Sequence, residues 1–101
     1  MPLSTHQKKH LRGLCHALQP VVTIADKGLS QTVAQEIETA LSHHELIKVR
    51  IRQERAKRGE TSAELIESMS AEAVMSIGQI LCLYRANPNR PADKRIQLPK
   101  A

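Results

Sequence analysis

The stretch Leu46–Gln53 reads Leu-Ile-Lys-Val-Arg-Ile-Arg-Gln, and it decides the fold. Its apolar residues Ile47, Val49 and Ile51 alternate with basic residues. Successive side chains of a β-strand point to opposite faces of the sheet, so this pattern predicts a strand with one buried face and one solvated face. The solvated face would carry three cations, Lys48, Arg50 and Arg52.

Upstream of this strand, the sequence predicts a helix, a strand and a second helix. Ser4 and Gln7 form the S-x-x-Q pattern of a capping box, and an apolar stripe at helical spacing follows them. Pro20 ends the first helix, and a short β-branched run begins there. After a turn, Ser30 is a candidate N-cap. The predicted elements are a helix over 4–18, a strand over 20–25 and a helix over 30–44.

Downstream of the strand, Arg55–Gly59 is interpreted as a basic loop. Thr61 and Glu64 form a second capping box at the start of a helix. Residues 86–95 are polar and contain two prolines, so they are expected to form a loop. The remaining predicted elements are a helix over 61–72, a hairpin of strands over 74–78 and 80–85, and a short edge strand over 96–98.

The predicted order is therefore α-β-α-β-α-β-β, in one domain over residues 1–99 with a frayed end over 99–101. A helix joins the first two strands, so we expect these strands to be parallel, with a right-handed crossover. The fold class is α/β (α+β), a single two-layer domain. Its four-stranded mixed sheet would carry helices mainly on one face, with the first helix at the rim.

Composition narrows the function classes. The 101 residues carry 15 Lys and Arg against 10 Asp and Glu, a net charge of +5. This basic balance favours polyanionic partners such as nucleic acid. There is no Trp, no Phe and a single Tyr, which excludes a platform that stacks bases on two or three aromatic rings. The glutamates are concentrated in the second and third helices, so we expect the opposite face of the sheet to be basic.

The sequence contains no recognisable membrane segment. No apolar run reaches the length of a bilayer span, and the first ten residues lack the apolar stretch of a signal peptide. We therefore expect a cytoplasmic protein that does not contact a membrane. Cys15 and Cys82 form no C-x-x-C pair, and in a reducing compartment they are expected to be small buried side chains.

Catalytic and metal-binding patterns are also missing. His6 and His10 lie one helical turn apart, and His16, His43 or His44 could supply further ligands, but no Asp, Glu or Cys stands at a supporting spacing. No Ser-His-Asp order, phosphate-binding Walker loop or paired acidic motif occurs. We therefore predict no enzyme activity, no metal, no cofactor and no small-molecule substrate.

Six short segments, in this order, carry a resemblance to a known family. They are Leu-Ser-Thr-x-Gln-Lys-x-His-Leu-Arg-Gly-Leu (3–14), Pro-Val-Val (20–22), Lys-Gly-Leu (27–29), His-His-Glu-Leu-Ile-Lys-Val (43–49), Ile-Gly (77–78) and Leu-Tyr-Arg (83–85). From residue 3 to about 99 the chain resembles the CRM domain, and in particular the small bacterial YhbY-like proteins that consist of this domain alone. The resemblance implies a fold similar to the C-terminal domain of bacterial translation initiation factor three. It also implies RNA binding and association with precursors of the large ribosomal subunit.

The chain departs from this family in the loop after the first strand. The family has a Gly-x-x-Gly loop there, whereas this sequence reads Ala25-Asp26-Lys27-Gly28. Ala25 does not adopt positive φ as readily as glycine, and Asp26 adds a negative charge near the expected phosphate site. Gln79 also stands where relatives often have a lysine. We therefore expect the sheet arginines to contribute more binding than the loop.

The candidate RNA contacts are the cations of the first helix, the loop, the solvated strand face and the basic loop, together with Arg85. Free N–H groups at a helix N-terminus favour anions, and six cations lie within residues 48–58. Each cluster could instead be an ordinary solvated surface. The predicted contacts are Lys8, Lys9, Arg12, Ala25, Asp26, Lys27, Gly28, Lys48, Arg50, Arg52, Arg55, Lys57, Arg58 and Arg85.

The leading hypothesis is a monomeric RNA-binding protein that associates with ribosomal RNA in precursors of the large subunit and assists assembly without turnover chemistry. It would recognise the RNA backbone and shape, because it lacks stacking aromatics. Two alternatives stay open. One is a DNA-binding or nucleoid module, and the other is a protein-interaction module whose acidic helices dock a basic ribosomal protein.

Overall fold

The computed structural model describes residues 3–100, so the predictions that involve residues 1–2 and Ala101 lie outside the described residues. The predicted fold class, a small α+β domain with a four-stranded mixed sheet, is confirmed. Within this range the elements are α1 (Thr5–Cys15), β1 (Pro20–Ile24), α2 (Gln31–His44), β2 (Leu46–Ile51), α3 (Arg55–Ser68), β3 (Glu72–Ile77), β4 (Ile80–Tyr84) and a 3₁₀ turn (Ala92–Lys94).

The strands are arranged in the order β1-β2-β4-β3. The pairing of β1 with β2 is parallel, as the connecting helix α2 predicts, and β4 pairs antiparallel with both β2 and β3. Strand β2 is therefore a central strand, and the alternation along it determines what each face of the sheet carries. Strands β1 and β3 form the two edges.

Apolar residues on the two faces of the sheet form separate cores. Ile47, Val49 and Ile51 point to the first face, where they pack with Leu41 of α2 and Leu65 of α3. The second face has a smaller apolar cluster at the amino end of β2, and Lys48 and Arg50 share this face because they alternate with the first-face residues. The members of the second cluster are Leu11, Cys15, Leu46, Val74, Cys82 and Tyr84.

Helix α1 lies on the second face and not at the rim of the sheet, where we expected it. Leu11 and Cys15 are fully buried between the helix and the sheet. The apolar side chains of Leu46 and Tyr84 on this face explain the position, because they would be exposed without a helix above them. The capping box predicted at Ser4 is present and begins the helix. Tyr84, the only aromatic side chain other than histidine, is buried here, and this burial raises its pKa.

Helix α3 begins at Arg55, so the prediction of a basic loop over 55–59 is wrong. The N-cap is Glu54, whose carboxylate accepts a hydrogen bond from the N–H of Lys57 at 2.7 Å. Thr61 is therefore not a cap, but a buried residue inside the helix. Arginine, alanine and lysine are all strong helix formers, and with a capping carboxylate they start the helix despite their charge.

A buried carboxylate anchors the C-terminal segment. Glu45 is 0% exposed and ends α2 with a φ of 63°. Its carboxylate accepts hydrogen bonds from the N–H groups of Asn87 at 2.7 Å and Ile96 at 2.8 Å, and it pairs with Arg90 at 3.2 Å. The predicted edge strand over 96–98 is wrong, because the N–H of Ile96 is bonded to this carboxylate and not to a neighbouring strand.

Replacement of Glu45 by Gln is expected to destabilise the protein. The amide keeps the shape but removes the charge and turns one acceptor into a donor that faces an N–H or guanidinium donor. We expect the free energy of unfolding, measured by urea denaturation, to fall by about 2 kcal/mol or more. Glu64→Gln, on the exposed side of α3, is the control and should change stability by less than about 0.5 kcal/mol. Equal stability of the two variants would show that the carboxylate does not anchor the segment.

Candidate nucleic-acid interface

The carboxyl ends of β1 and β2 meet at one edge of the sheet, because the two strands are parallel. The N–H of Arg52 donates to the carbonyl oxygen of Ile24 at 2.7 Å, which extends the pairing just beyond β2. The loop 25–28 follows β1 directly, and α3 follows β2 after a short link. We call this end of the sheet the basic edge and define it by residues 25–28, 52–53 and 55–58.

The loop 25–28 is fixed to α3 by a buried amide. Gln53 is only 5% exposed, and its Nε2 donates to the carbonyl oxygen of Ala25 at 3.0 Å. Its Oε1 accepts a hydrogen bond from the hydroxyl of Thr61 at 2.6 Å. Gly28 adopts a φ of 79°, a conformation that costs glycine no strain. Its N–H donates to the carbonyl oxygen of Ala25 at 2.9 Å, a hydrogen bond that closes the loop. The loop is therefore held in one conformation against the start of α3.

Sequence reasoning missed Gln53 and Thr61 as supports of the site. A signal was available for Gln53, because every second residue of β2 is buried and Gln53 continues this alternation. An amide at a buried position needs hydrogen-bond partners, so the position of Gln53 in this alternation indicated a polar contact inside the fold. Thr61 carried no such signal, since its spacing to Glu64 matched a capping box.

The first turn of α3 presents three cations beside the loop. Lys57 donates from Nζ to the carbonyl oxygen of Asp26 at 2.8 Å, and Arg58 donates from Nη1 to the carbonyl oxygen of Gln53 at 2.8 Å. Arg55 is exposed. Positive side chains at a helix N-terminus oppose the helix dipole, so this placement does not stabilise the helix. It does concentrate positive charge beside the loop, while the carboxylate of Glu54 caps the same helix start and accepts the N–H of Lys57.

The strand cations lie on the second face of the sheet, as their alternation predicted. Arg50 is exposed and is paired in register with Thr23 of β1 and Ile80 of β4. Lys48 lies nearer to the amino end of β2, beside α1, and is only half-exposed. The part of the second face that α1 leaves open therefore carries Arg50 and leads to the basic edge.

Helix α1 carries three exposed cations, Lys8, Lys9 and Arg12. On one flank of α1, Gln7 donates from Nε2 to the carbonyl oxygen of Pro99 at 3.0 Å, so that flank faces the C-terminal segment. Lys8 and Arg12 are exposed and one turn apart, and the helical period places them on a different flank from Gln7, so we infer that they border the open half of the second face. Lys9 is exposed on the outer side. The basic edge, these cations and the strand cations form the basic surface, whose cations are Lys8, Lys9, Arg12, Lys27, Lys48, Arg50, Arg52, Arg55, Lys57 and Arg58.

Arg85 lies apart from the basic surface. Its guanidinium pairs with the carboxylate of Glu38 and also donates to the carbonyl oxygen of Met69 at 3.0 Å and the hydroxyl of Ser42 at 3.1 Å. The hydrogen bond from Arg85 lowers the pKa of Glu38. This arginine is therefore used inside the fold, between α2 and the end of α3, and the structure does not bring it to the other predicted contacts.

The reactive side chains of the chain are buried or dispersed. Cys15 and Cys82 are free thiols with no solvent exposure, and the hydrogen bond between them raises the pKa of Cys15 well above its usual range. Within residues 3–100, no group of three or more His, Cys, Asp or Glu side chains is arranged to hold a metal ion. Over the same range, no helix is long and apolar enough to span a bilayer.

The sequence matches the family model of the CRS1/YhbY (CRM) domain over residues 3–85. This match covers most of the chain and includes every strand of the sheet, the loop 25–28 and α3. The chain therefore belongs to the CRM domain family.

Comparison with individual proteins agrees with this assignment. An RNA-binding protein of Haemophilus influenzae is 44% identical over 99 residues, which cover 97% of this chain and 96% of the relative. A Pseudomonas aeruginosa relative, named a probable RNA-binding protein, is 40% identical over 87% of this chain and 86% of its own length. The solution structure of SAV1595 from Staphylococcus aureus, described as a candidate RNA-binding protein, superposes with a TM-score of 0.73. It is 30% identical, over 97% of this chain and all of that one.

Removal of the buried amide should release the loop. Gln53→Ala leaves the carbonyl of Ala25 and the hydroxyl of Thr61 without their side-chain partner, so we expect a loss of about 1–2 kcal/mol in the free energy of unfolding. The amide of Gly28 should exchange with solvent at least about tenfold faster, because the loop opens more readily. Hydrogen exchange followed by NMR measures this rate. Gln35→Ala, on the exposed side of α2, is the control. If the exchange rate of the Gly28 amide does not change in Gln53→Ala, the side chain of Gln53 does not hold the loop in place.

Proposed function

We propose that this chain binds RNA through the basic surface. The observation that carries the proposal is that cations of β2, the loop and the first turn of α3, which are far apart in sequence, lie at or next to one edge of the sheet. The exposed cations of α1 are included in the proposal. Within residues 3–100, the ion pairs with carboxylates involve Arg85, Arg90 and Arg95, and none of these belongs to the basic surface. Lys57 and Arg58 donate to backbone carbonyl oxygens, but no carboxylate of the described residues neutralises the charge of the surface cations. The names of the relatives support RNA as the anion that this surface binds.

Recognition would depend on phosphates and shape. Tyr84 is buried beneath α1, and the chain has no Phe or Trp, so no ring of these three types among the described residues is available for stacking on a base. Arg50 and Arg52 can each form two parallel hydrogen bonds to a phosphate, a geometry that tolerates small shifts of the RNA. The loop contributes Lys27 but also Asp26, which reduces its attraction for phosphate. We therefore assign the larger share of binding to the sheet arginines.

The finer proposal is that the RNA is ribosomal RNA in precursors of the large ribosomal subunit. The protein would assist assembly as a cytoplasmic monomer and would catalyse no reaction. The support is the resemblance of nearly the whole chain to single-domain YhbY-like proteins. The absence of a stacking platform also fits a partner that is already folded, such as structured ribosomal RNA.

An interaction with a basic protein is the second candidate. Glu60, Glu64 and Glu67 are exposed and lie at helical spacing along α3, away from its basic first turn. A basic ribosomal protein could dock on this acidic stripe while RNA occupies the basic surface. Co-purification of such a protein after complete nuclease digestion would favour this candidate, whereas loss of the partner with the RNA would count against it.

The distribution of binding energy over the basic surface can be tested with charge-removing variants. If about five phosphates are neutralised, the log–log dependence of affinity on salt should have a slope of roughly −3.5 to −4.5. Arg50→Ala with Arg52→Ala should make this slope shallower by about 1.4–1.8, as expected for two lost phosphate contacts. The double variant should also lose about 1 kcal/mol more binding free energy than Lys27→Ala. Asp26→Gly should bind slightly more tightly than the wild type.

The control for this series is Lys94→Ala, which removes an exposed cation from the 3₁₀ turn, outside the basic surface. It should retain nearly the wild-type affinity and slope. A salt-independent affinity would contradict electrostatic binding altogether. If Lys27→Ala abolishes binding and the double arginine variant binds normally, the loop is the main contact and the assignment to the sheet is wrong.

The ribosomal assignment predicts where the protein sediments. In a sucrose gradient of a cell extract, the protein should co-migrate with precursors of the large subunit and should be scarce on small subunits and on mature ribosomes. The Arg50→Ala, Arg52→Ala variant should shift to the top of the gradient, because it lacks two phosphate contacts. An equal distribution over small subunits, precursors and mature ribosomes would contradict a specific role in large-subunit assembly.

A further inference from the structure

A groove of about 550 Å³ lies between α3 and the β3–β4 hairpin, on the first face of the sheet. It opens beside the basic edge, because the N–H of Ile51 donates to the carbonyl oxygen of Gln79 at 2.6 Å and ties the end of β2 to the hairpin turn. Its volume falls in the range of small-ligand pockets, roughly 300–1,000 Å³. The groove is lined by Ile51, Arg55, Arg58, Gly59, Ser62, Ser76, Gly78, Gln79, Ile80 and Leu81.

The chemistry of the groove suits a nucleotide. The α3 wall carries Arg55 and Arg58, and the hydrogen bond from Arg58 to the carbonyl oxygen of Gln53 holds that guanidinium in place. The opposite wall offers the hydroxyl of Ser76 and the exposed amide of Gln79. The floor of the groove is formed by the apolar side chains of Ile51 and Leu81, which are each 2% exposed. Guanidinium groups bind phosphate, hydroxyl and amide groups bind ribose and base edges, and apolar surface covers a base.

A glycine inside α3 has no role in the packing of the protein. Glycine at an interior helix position is less stable than alanine. At Gly59, an added Cβ would meet no atom within 4 Å, and the backbone is not in a positive-φ conformation. No close neighbour and no backbone strain therefore requires glycine there. Its missing side chain leaves the α3 wall of the groove open, so that a ligand can approach the helix backbone.

From these observations we propose that the groove holds a single unpaired nucleotide of the bound RNA, with its phosphate on Arg55 and Arg58. This inference rests on the proposed RNA binding and adds to it a preference for RNA that contains an unpaired nucleotide. Unpaired nucleotides in loops and bulges can leave the base stack, which a recess of this size requires. The groove would thus supply local recognition that the phosphate contacts of the basic surface cannot give.

The test compares two RNA hairpins of the same sequence, one fully paired and one with a single bulged uridine. The wild-type protein should bind the bulged hairpin about tenfold more tightly, a difference that a few additional hydrogen bonds can supply. Gly59→Ala places a methyl group in the groove and should remove this preference while affinity for the paired hairpin stays unchanged. The same change should raise Tm by a few degrees, because alanine is the better helix former.

Gly13→Ala is the matched control. Gly13 also lies inside a helix, is exposed and would accept a Cβ without any contact within 4 Å, but it does not line the groove. This variant should gain stability and keep the tenfold preference. Should Gly59→Ala fail to fold, the double change Ser62→Ala with Ser76→Ala decides the question, because it removes groove hydroxyls and should also reduce the preference.

The outcomes separate this inference from the proposed function. If the wild-type protein binds neither hairpin, RNA binding itself is wrong. If it binds both hairpins equally, or if the groove variants keep the full preference, the groove does not hold a nucleotide and RNA binding by the basic surface stands. Loss of the preference in Gly13→Ala as well would show that the effect does not come from the groove.

Discussion

The parallel pairing of β1 with β2 is the constraint on which the proposed site depends. Parallel strands end at the same edge, so the loop after β1 and the start of the helix after β2 must lie together. Gln53, the residue that follows this pairing, bonds to both the loop and α3 and fixes the distance between them. Without this register, Lys27 and the first turn of α3 would belong to separate surfaces.

Two groups of arginines in the chain have different surroundings. Arg85, Arg90 and Arg95 pair with Glu38 and Glu45 and hold the C-terminal segment and the helix ends in place. The arginines of β2 and of the first turn of α3 have no carboxylate partner among the described residues, and the latter even oppose the helix dipole. Stability alone would not select such positions. An external anion, as proposed above, would account for the lack of carboxylate partners.

Most of the fold could be predicted from the sequence, because period-two and helical patterns report directly on burial. The alternation from Leu46 to Gln53 predicted both the strand and the face of its cations. The start of α3 could not be predicted in this way, because the charge density over 55–59 is the same in a loop and in a helix. The alternation along β2 indicated that Gln53 is buried, but its partners, like those of Glu45 and Arg85, lie far away in sequence and are not identified by a pattern in a single sequence. The position of α1 could not be predicted either, because its apolar stripe is compatible with packing at the rim of the sheet or on its second face.

The arrangement of the cations has a consequence for the kind of RNA that the protein would recognise. The cations lie on α1, β2, the loop and α3. The two apolar cores and the hydrogen bonds of the Gln53 side chain hold these elements in fixed positions. A fixed array of charges binds best where phosphates already have a matching spacing, whereas a flexible single strand must lose conformational entropy to match it. The same rigidity prevents the surface from adapting to many sequences. Under the proposed RNA binding, the fold would therefore favour structured RNA, and selectivity would come from the shape of the backbone and from local unpaired nucleotides.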